Sequence, residues 1–314
     1  MTTTAVASAN KKEIKEKKYN KYVSFSQYSM YYKCPRSWKL AYIDSLRKKE
    51  SNIHLVFGTS MHETIQDYLE MLYNQPHLDV DSIDWKERLV AIMNKVADEE
   101  RNLIDGKRCM SDDEFAEFVQ DGNEILDHFL SDEVRHKYFS TTRHTLTGIE
   151  TSIDLEVRKN IGYIGFLDVV LFDKINQKYK IIDLKTSTRG WNKWQKADES
   201  KTHQLLLYKV FYAKEFNVPL DKIDVEFIIL KRKYDIDDPY CGERIQRFIP
   251  PNGTMSSKEA WTSFNKFLNE SFTKSGEYDM DNPFPKTPGK AKKNCRWCEF
   301  SKKSGGPCDG KEGA

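Results

Sequence analysis

No apolar run in this sequence approaches the roughly 18 residues that a membrane-crossing helix needs, and its first stretch, MTTTAVASANKKEIKEKK, lacks the apolar segment of a secretory signal. Both absences point away from a bilayer or an export route, so a reducing cytoplasm is the expected compartment. Net charge is also nearly missing. Fifty basic residues against 48 acidic ones leave +2, which neither demands nor excludes a polyanionic partner. No internal repeat is visible. Cysteine is sparse, at six residues, and in a reducing compartment so few thiols are expected to be free or metal-bound rather than paired in disulfides.

What is present suffices for a folded enzyme-sized chain. The 314 residues allow one sizeable α/β core and a helical lobe, and 39% hydrophobic with 12% aromatic residues is enough to bury a core. Charge is distributed unevenly. Residues 11–21 are basic, 286–314 carry eight Lys or Arg against three acids, and 79–133 are rich in carboxylates; solvated faces and tails are the plain reading of such runs.

Residues 1–20 are polar and expected to be a flexible basic arm. The stretch SFSQYSMYYKCPRSWKLAYI then predicts a helix opening at a Ser cap. Helical spacing recurs in FGTSMHETIQDYLEMLY, in Trp85 to Leu103 and in Phe115 to Leu130, giving a helical lobe over 21–145. At Gly148 the period changes. Ile149, Thr151, Ile153, Leu155 and Val157 alternate with polar residues, as in a strand with one buried face. YIGFLDVVLF and YKIIDLK predict two more strands, HQLLLYKVFYAKEF a helix and VEFIILKRK another strand. This order, over 146–281, predicts a mixed sheet flanked by helices, an α/β (α+β) fold. A last helix is expected from a capping box at Ser256 and Glu259, with Trp261, Phe264, Phe267 and Leu268 on one face. The segment 282–314 predicts an irregular tail.

Asp183 and Lys185 in IIDLKTS alternate onto one face of a strand, about 7 Å apart. Asp168 is a lone acid inside the preceding apolar strand, and a hairpin would set it beside Asp183. Two buried carboxylates repel unless a cation shares the site or one is protonated. A D-x-K tripeptide alone is more often an edge-strand salt bridge. Here, however, it closes a buried strand and precedes a helix that stacks Gln204 and Tyr208 one turn apart.

With these residues the sequence resembles the RecB-like PD-(D/E)xK nucleases, and within them the iron–sulfur-bearing branch of CRISPR-associated and AddB-type exonucleases. Gly165-Phe166-Leu167-Asp168 resembles the family's GxxD motif, Asp183-Leu184-Lys185 its (D/E)xK motif, and Gln204 to Tyr208 its QxxxY motif. His62 in FGTSMHETI resembles the upstream helical histidine. The resemblance implies a restriction-endonuclease-like core in which Asp168, Asp183, His62 and the Leu184 carbonyl bind Mg²⁺ or Mn²⁺. It implies that Lys185 acts on the attacking water or the phosphate oxygens, steadied by Gln204 and Tyr208. Glu150 is equally readable as an additional acid or a solvated one. Asp173 reads as turn chemistry.

Cys295 and Cys298 form a CxxC, Cys308 follows in a segment almost free of regular structure, and Cys34 stands near the other end. Three thiolates leave a four-coordinate site one ligand short, which Cys34 would complete. Cys109 and Cys241 show no ligand spacing. The resemblance implies a 4Fe–4S cluster tying the tail to the helical lobe; the long gap before Cys308 keeps zinc open as the alternative. Arg296, Trp297, Lys302 and Lys303 around it suit single-stranded DNA.

The reading is therefore a metal-dependent exonuclease acting on DNA ends, expected to be single-stranded and, by resemblance, entered at the 5′ end. Its setting would be recombination, repair or CRISPR-type processing, in a bacterial cytoplasm or encoded by a phage, with a helicase, recombination or integration protein as partner. Two other readings compete: a non-catalytic DNA-end-binding adaptor, and a structure-specific endonuclease.

Overall fold

In a computed structural model the described residues are 18–48, 50–104, 106, 109–235, 237 and 242–311. The basic arm expected over 1–20 therefore lies mostly outside the described residues, as does Cys241. Strand β1 (Lys21–Val23) is followed by helices α1 (Phe25–Lys33), α2 (Pro35–Trp38), α3 (Ile53–Asn74), α4 (Trp85–Leu103), α5 (Asp112–Phe129) and α6 (Asp132–Tyr138). Then come β2 (His144–Arg158), β3 (Ile161–Asp173), β4 (Lys178–Ser187), α7 (Lys193–Lys196), α8 (Glu199–Glu215), β5 (Ile223–Lys231), β6 (Ile245–Phe248) and α9 (Thr254–Ser271).

The six strands of the described residues form one mixed sheet, as the changing periodicity predicts. β2 runs antiparallel to β3 along its whole length. On the other side of β3, β1 pairs with Ile161–Tyr163 and β4 with Val169–Asp173. β5 then adds parallel to β4, and β6 antiparallel to β5. A parallel pair needs a crossover, and α7–α8 supply it.

Each face of the sheet carries its own core. Ile182, Leu184, Ile228 and Leu230 pack with Phe57, Met61, Leu89 and Ile125 of α3–α5. On the opposite face, Ile181, Phe227 and Ile229 pack with Tyr28, Leu205, Phe211 and Phe264 of α1, α8 and α9. Side chains such as Phe57, Phe264 and Phe267 are almost wholly buried, worth about 1.5–3 kcal/mol each.

Two local expectations are corrected. The helix opening at Ser24 does not run through to Ile43. It stops at Lys33 and restarts at Pro35, leaving Cys34 extended at φ −161° and ψ 106°. Proline lacks an N–H and drives its predecessor out of helical geometry, so Pro35 makes the break that presents Cys34. The capping box at Ser256 and Glu259 does not form: α9 begins at Thr254 with Gly253 as its cap, and both residues lie inside the helix. β1 and β6 were invisible because three or four residues are too few to show alternation.

Candidate active site

The β3–β4 ladder ends at the pair Val169–Ile182. One step further the antiparallel register brings Asp168 opposite Asp183, but there the strands part. The Leu184 N–H donates to the Asp168 carboxylate (Leu184 N to Asp168 Oδ2, 2.7 Å) instead of to β3 backbone. Among the described residues, β3 has no strand partner on this side between Tyr163 and Val169. The opening lets helices on both faces of the sheet reach one pair of acids.

From one face comes α3. Gly58 faces β4, where a Cβ would stand in ordinary contact with Thr186 Oγ1 at 3.4 Å. One turn on, His62 Nδ1 stands 3.6 Å from Asp168 Oδ2. From the other face comes α8, where Gln204 Nε2 donates to the Tyr208 hydroxyl at 3.2 Å. Asp183 and Lys185 share a face of β4, and the Lys185 Nζ stands 2.6 Å from Asp183 Oδ2. Oδ2 has that ionic contact but no well-directed hydrogen bond.

Burial is the largest influence on the acids. It raises Asp168 to about 6 against the pull of Lys185, and it raises Asp183 to about 6 with the Asp168 charge adding to it. His62 falls to about 4, first from burial and then from the Lys185 charge. Burial works against the Lys185 ammonium, yet Asp183 and Asp168 hold its pKa above the ordinary lysine value. Tyr208 is pushed up by burial and by Asp183, which places its hydroxyl in the field of the same acids. Asp168, Asp183, Lys185 and His62 thus lie together, with Tyr208, the partner of Gln204, in the field of the two acids.

A hard cation suits two carboxylates, an imidazole and a backbone carbonyl. The under-bonded Asp183 Oδ2 and the two acids of raised pKa fit such an ion, because a dication would relieve their repulsion. Among the described residues, no three His, Cys, Asp or Glu side chains are gathered into a ready-made cage. Lys185 takes up the Asp183 oxygen instead, and a cation would compete with it.

Glu150 stands opposite Asp168 in the β2–β3 register, in a left-handed conformation (φ 46°). With Asp183 it completes a row of three acids across three strands. Gln66, one turn beyond His62, donates to Glu150 Oε1 at 2.7 Å and to the Asp168 carbonyl at 3.3 Å. Gln66 was not anticipated, although its i+4 spacing from His62 on a buried helix face was a readable signal.

Cys34, Cys295, Cys298 and Cys308 line one cavity. Burial comes first, then neighbouring thiols, in raising Cys295 and Cys298, so the four sulfurs lie within each other's fields. A four-thiol set has the donor chemistry for an iron–sulfur cluster or zinc, though it too falls short of a ready-made cage. The tail is docked by hydrogen bonds as well: Asn294 Nδ2 donates to the Lys33 carbonyl at 2.9 Å, and Arg36 N to the Pro285 carbonyl at 3.3 Å. Cys109 packs elsewhere, near Val56 and Ile92. No helix of the described residues is long and apolar enough to cross a membrane.

No curated protein matches the chain. A solved structure from Eubacterium rectale described as a "putative exonuclease" is similar, at 13% identity and a TM-score of 0.46, over 78% of this chain and 79% of that one. The family model of the PD-(D/E)XK nuclease superfamily matches residues 22–302. That span holds β2 to β6, most of β1 and all of the acid–lysine centre, and the chain belongs to the PD-(D/E)XK nuclease superfamily.

Proposed function

We propose that this nuclease is a divalent-metal-dependent exonuclease that shortens single-stranded DNA from an end. The observation that carries the reading is the convergence of Asp168, Asp183, His62, the Leu184 backbone and Lys185 at the opening between β3 and β4. Asp168, Asp183, His62 and the Leu184 carbonyl would hold Mg²⁺ or Mn²⁺. When bound, the ion supplies a more acidic water and neutralises charge growing on the scissile phosphate. Lys185, released from Asp183, turns its ammonium to the attacking water or a phosphate oxygen. Gln204 and Tyr208 keep that face of the opening polar and position the lysine and the sugar–phosphate chain.

The cysteine-lined cavity supports assignment to the iron–sulfur branch, with a 4Fe–4S cluster, or zinc in its place, joining Cys34 to the tail. Entry at the 5′ end, a role in recombination, repair or CRISPR-type processing, a helicase or integration partner and a cytoplasmic site of action follow from that assignment. The Lys185–Asp183 pair is intact, which disfavours the non-catalytic adaptor.

The test compares linear single strands labelled at either end, blunt duplex and covalently closed single-stranded circles, each with Mg²⁺ or Mn²⁺ and with a chelator. Progressive shortening of linear strands, abolished by chelation, is expected, with circles and blunt duplex resistant. Efficient cutting of closed circles would replace the exonuclease with an endonuclease. No hydrolysis with either metal would favour the adaptor.

A further inference from the structure

The segment that leaves β4 just beyond Lys185 is built in an unusual way. Gly190 turns it at φ 83°, where a Cβ would meet Lys231 Cε at 3.0 Å. Trp191 is then buried against Phe227, with ring centroids 4.8 Å apart. Its N–H donates to Gln246 Oε1 at 2.7 Å, and its carbonyl accepts from Gln246 Nε2 at 3.1 Å. Asn192 and Gln195 cap the single turn of α7 reciprocally. This rigid mount carries Trp194, which is 74% exposed. A large ring held out into water by a well-bonded loop buries nothing in the chain itself.

Its surroundings are basic. Lys193 Nζ lies 5.0 Å from the Trp194 ring centroid, and Lys201 Nζ lies 4.8 Å from that of Trp191. Burial lowers the Lys201 pKa, opposed by Asp198 and reinforced by the charges of Lys33 and Lys185, so Lys201 lies within the field of both lysines. Some surface Lys and Arg are paired with acids, as in Arg88–Asp67, Arg135–Asp81 and Lys137–Glu243. Among the described residues, Lys33, Arg189, Lys193, Lys196 and Lys201 have no carboxylate within ion-pair distance. Asp198, whose charge acts on Lys201, accepts from the amide and hydroxyl of Ser200.

We infer that Trp194 is a stacking platform for a base of a single DNA strand whose phosphates run over Lys193 and Lys201 toward Lys185. An aromatic face takes any base, and unpaired lysines take the backbone. Bases in a blunt duplex are already stacked on each other and cannot use the platform. The inference rests on the nuclease reading above and names the residues that select the single strand.

The test is binding of full-length protein to a fluorescein-labelled oligo-dT and to a blunt duplex, in chelator so that nothing is cut. Trp194→Ala should weaken oligo-dT binding about tenfold and leave the duplex unchanged, while Trp194→Phe should stay within about twofold of wild type. Lys201→Ala should lower the slope of log affinity against log salt by about 0.7, the share of one phosphate contact on a single strand. Melting temperatures guard against misfolding, which an exposed residue is not expected to cause. Wild-type oligo-dT affinity in Trp194→Ala, or equal loss on single strand and duplex, overturns the platform. Hydrolysis by the wild type with Mg²⁺ or Mn²⁺ is read separately. Its absence would sink the nuclease mechanism while Trp194-dependent binding could still stand.

Discussion

Around Asp183 the backbone is fixed on one side by a parallel ladder to β5 that runs from Tyr179 to Ser187, and Asp168 is fixed by β2 on its far side. Between Gly289 and Cys308 there is no such support. That stretch holds short turns, a single bridge between Ser301 and Cys308, and two adjacent non-glycine residues, Ala291 and Lys292, at φ 52° and 55°. Left-handed backbone costs about 1–2 kcal/mol per ordinary residue. The sheet therefore holds its carboxylates with hydrogen bonds present in any α/β core. The tail is held in a strained path by a few hydrogen bonds, including those of Asn294 to Lys33 and Arg36 to Pro285. In one region chemistry was added to a stable frame; in the other the chemistry is expected to be part of the frame.

The comparison breaks most visibly if the site residues turn out to be structural. Lys185→Ala and Asp183→Asn should each lower the cleavage rate by about a thousandfold or more, with melting temperature within a few degrees of wild type. Asp183 is buried at a cost to its charged form, so its neutral replacement removes a destabilising demand. Wild-type turnover in either variant would remove the assignment. A cooperative loss of fold in Asp183→Asn would make it a core residue.

The tail should answer in the opposite sense. Cys34→Ser or Cys298→Ser should cost about 2–5 kcal/mol, the scale of losing a cross-link over a long loop, or roughly 5–15 °C in Tm. Turnover per folded molecule should fall far less than in the Lys185 variant. Protein purified without oxygen should be brown with about four irons per chain, whereas a colourless protein with one zinc keeps the staple and rejects the cluster. Unchanged melting in both variants would show that the hydrogen bonds from Asn294 and Arg36 suffice.

The same contrast explains what could be read from the sequence. The sheet was legible because alternation and short, mostly apolar stretches report burial directly, and Asp168 and Asp183 stood out as acids inside them. Register, however, is a property of two strands. That Glu150, Asp168 and Asp183 form one row could not be seen until β2, β3 and β4 were aligned. Gln66 offered one readable signal, its spacing from His62, but its partners on β2 and β3 emerge only from the register. The tail offered only cysteine spacing, so its path over the break at Cys34 and Pro35 was not legible at all.

Asp173 is an acid that serves the fold rather than the acid–lysine centre. Asp173 ends β3, where Arg143 forks onto Oδ2 at 3.0 and 2.7 Å and the amides of Ile175 and Asn176 donate to Oδ1. Burial disfavours its charge, but these donors outweigh burial and hold the carboxyl well below its ordinary pKa. A depressed folded-state pKa means stability that is complete above the unfolded value, about 3.9, and is lost as pH falls toward the folded value. Asp173→Asn should therefore cost about 2 kcal/mol at neutral pH, and the gap to wild type should close below about pH 4. A gap that stayed constant from pH 7 to pH 3 would show that charge is not what Asp173 contributes.

The smallest effect is expected at Gln66, which joins α3 to the acid row without belonging to it. Its buried amide donates to Glu150 Oε1 and to the Asp168 carbonyl, so it fixes the β2 residue that stands in left-handed geometry. Gln66→Met keeps the volume and removes both donors. Glu150 is exposed and can turn to water, whereas the Asp168 carbonyl loses a partner, at a cost of about 1 kcal/mol. Cleavage should fall only a few-fold, and the concentration of Mg²⁺ needed for half-maximal rate should rise, because the row of acids is less well placed to share an ion. Gln66→Glu should do more harm, since it sets a fourth carboxylate beside Glu150 and Asp168. If Gln66→Met lowered the rate as far as Lys185→Ala does, Gln66 would belong to the acid–lysine centre itself. The line between frame and chemistry would then have to be drawn through α3.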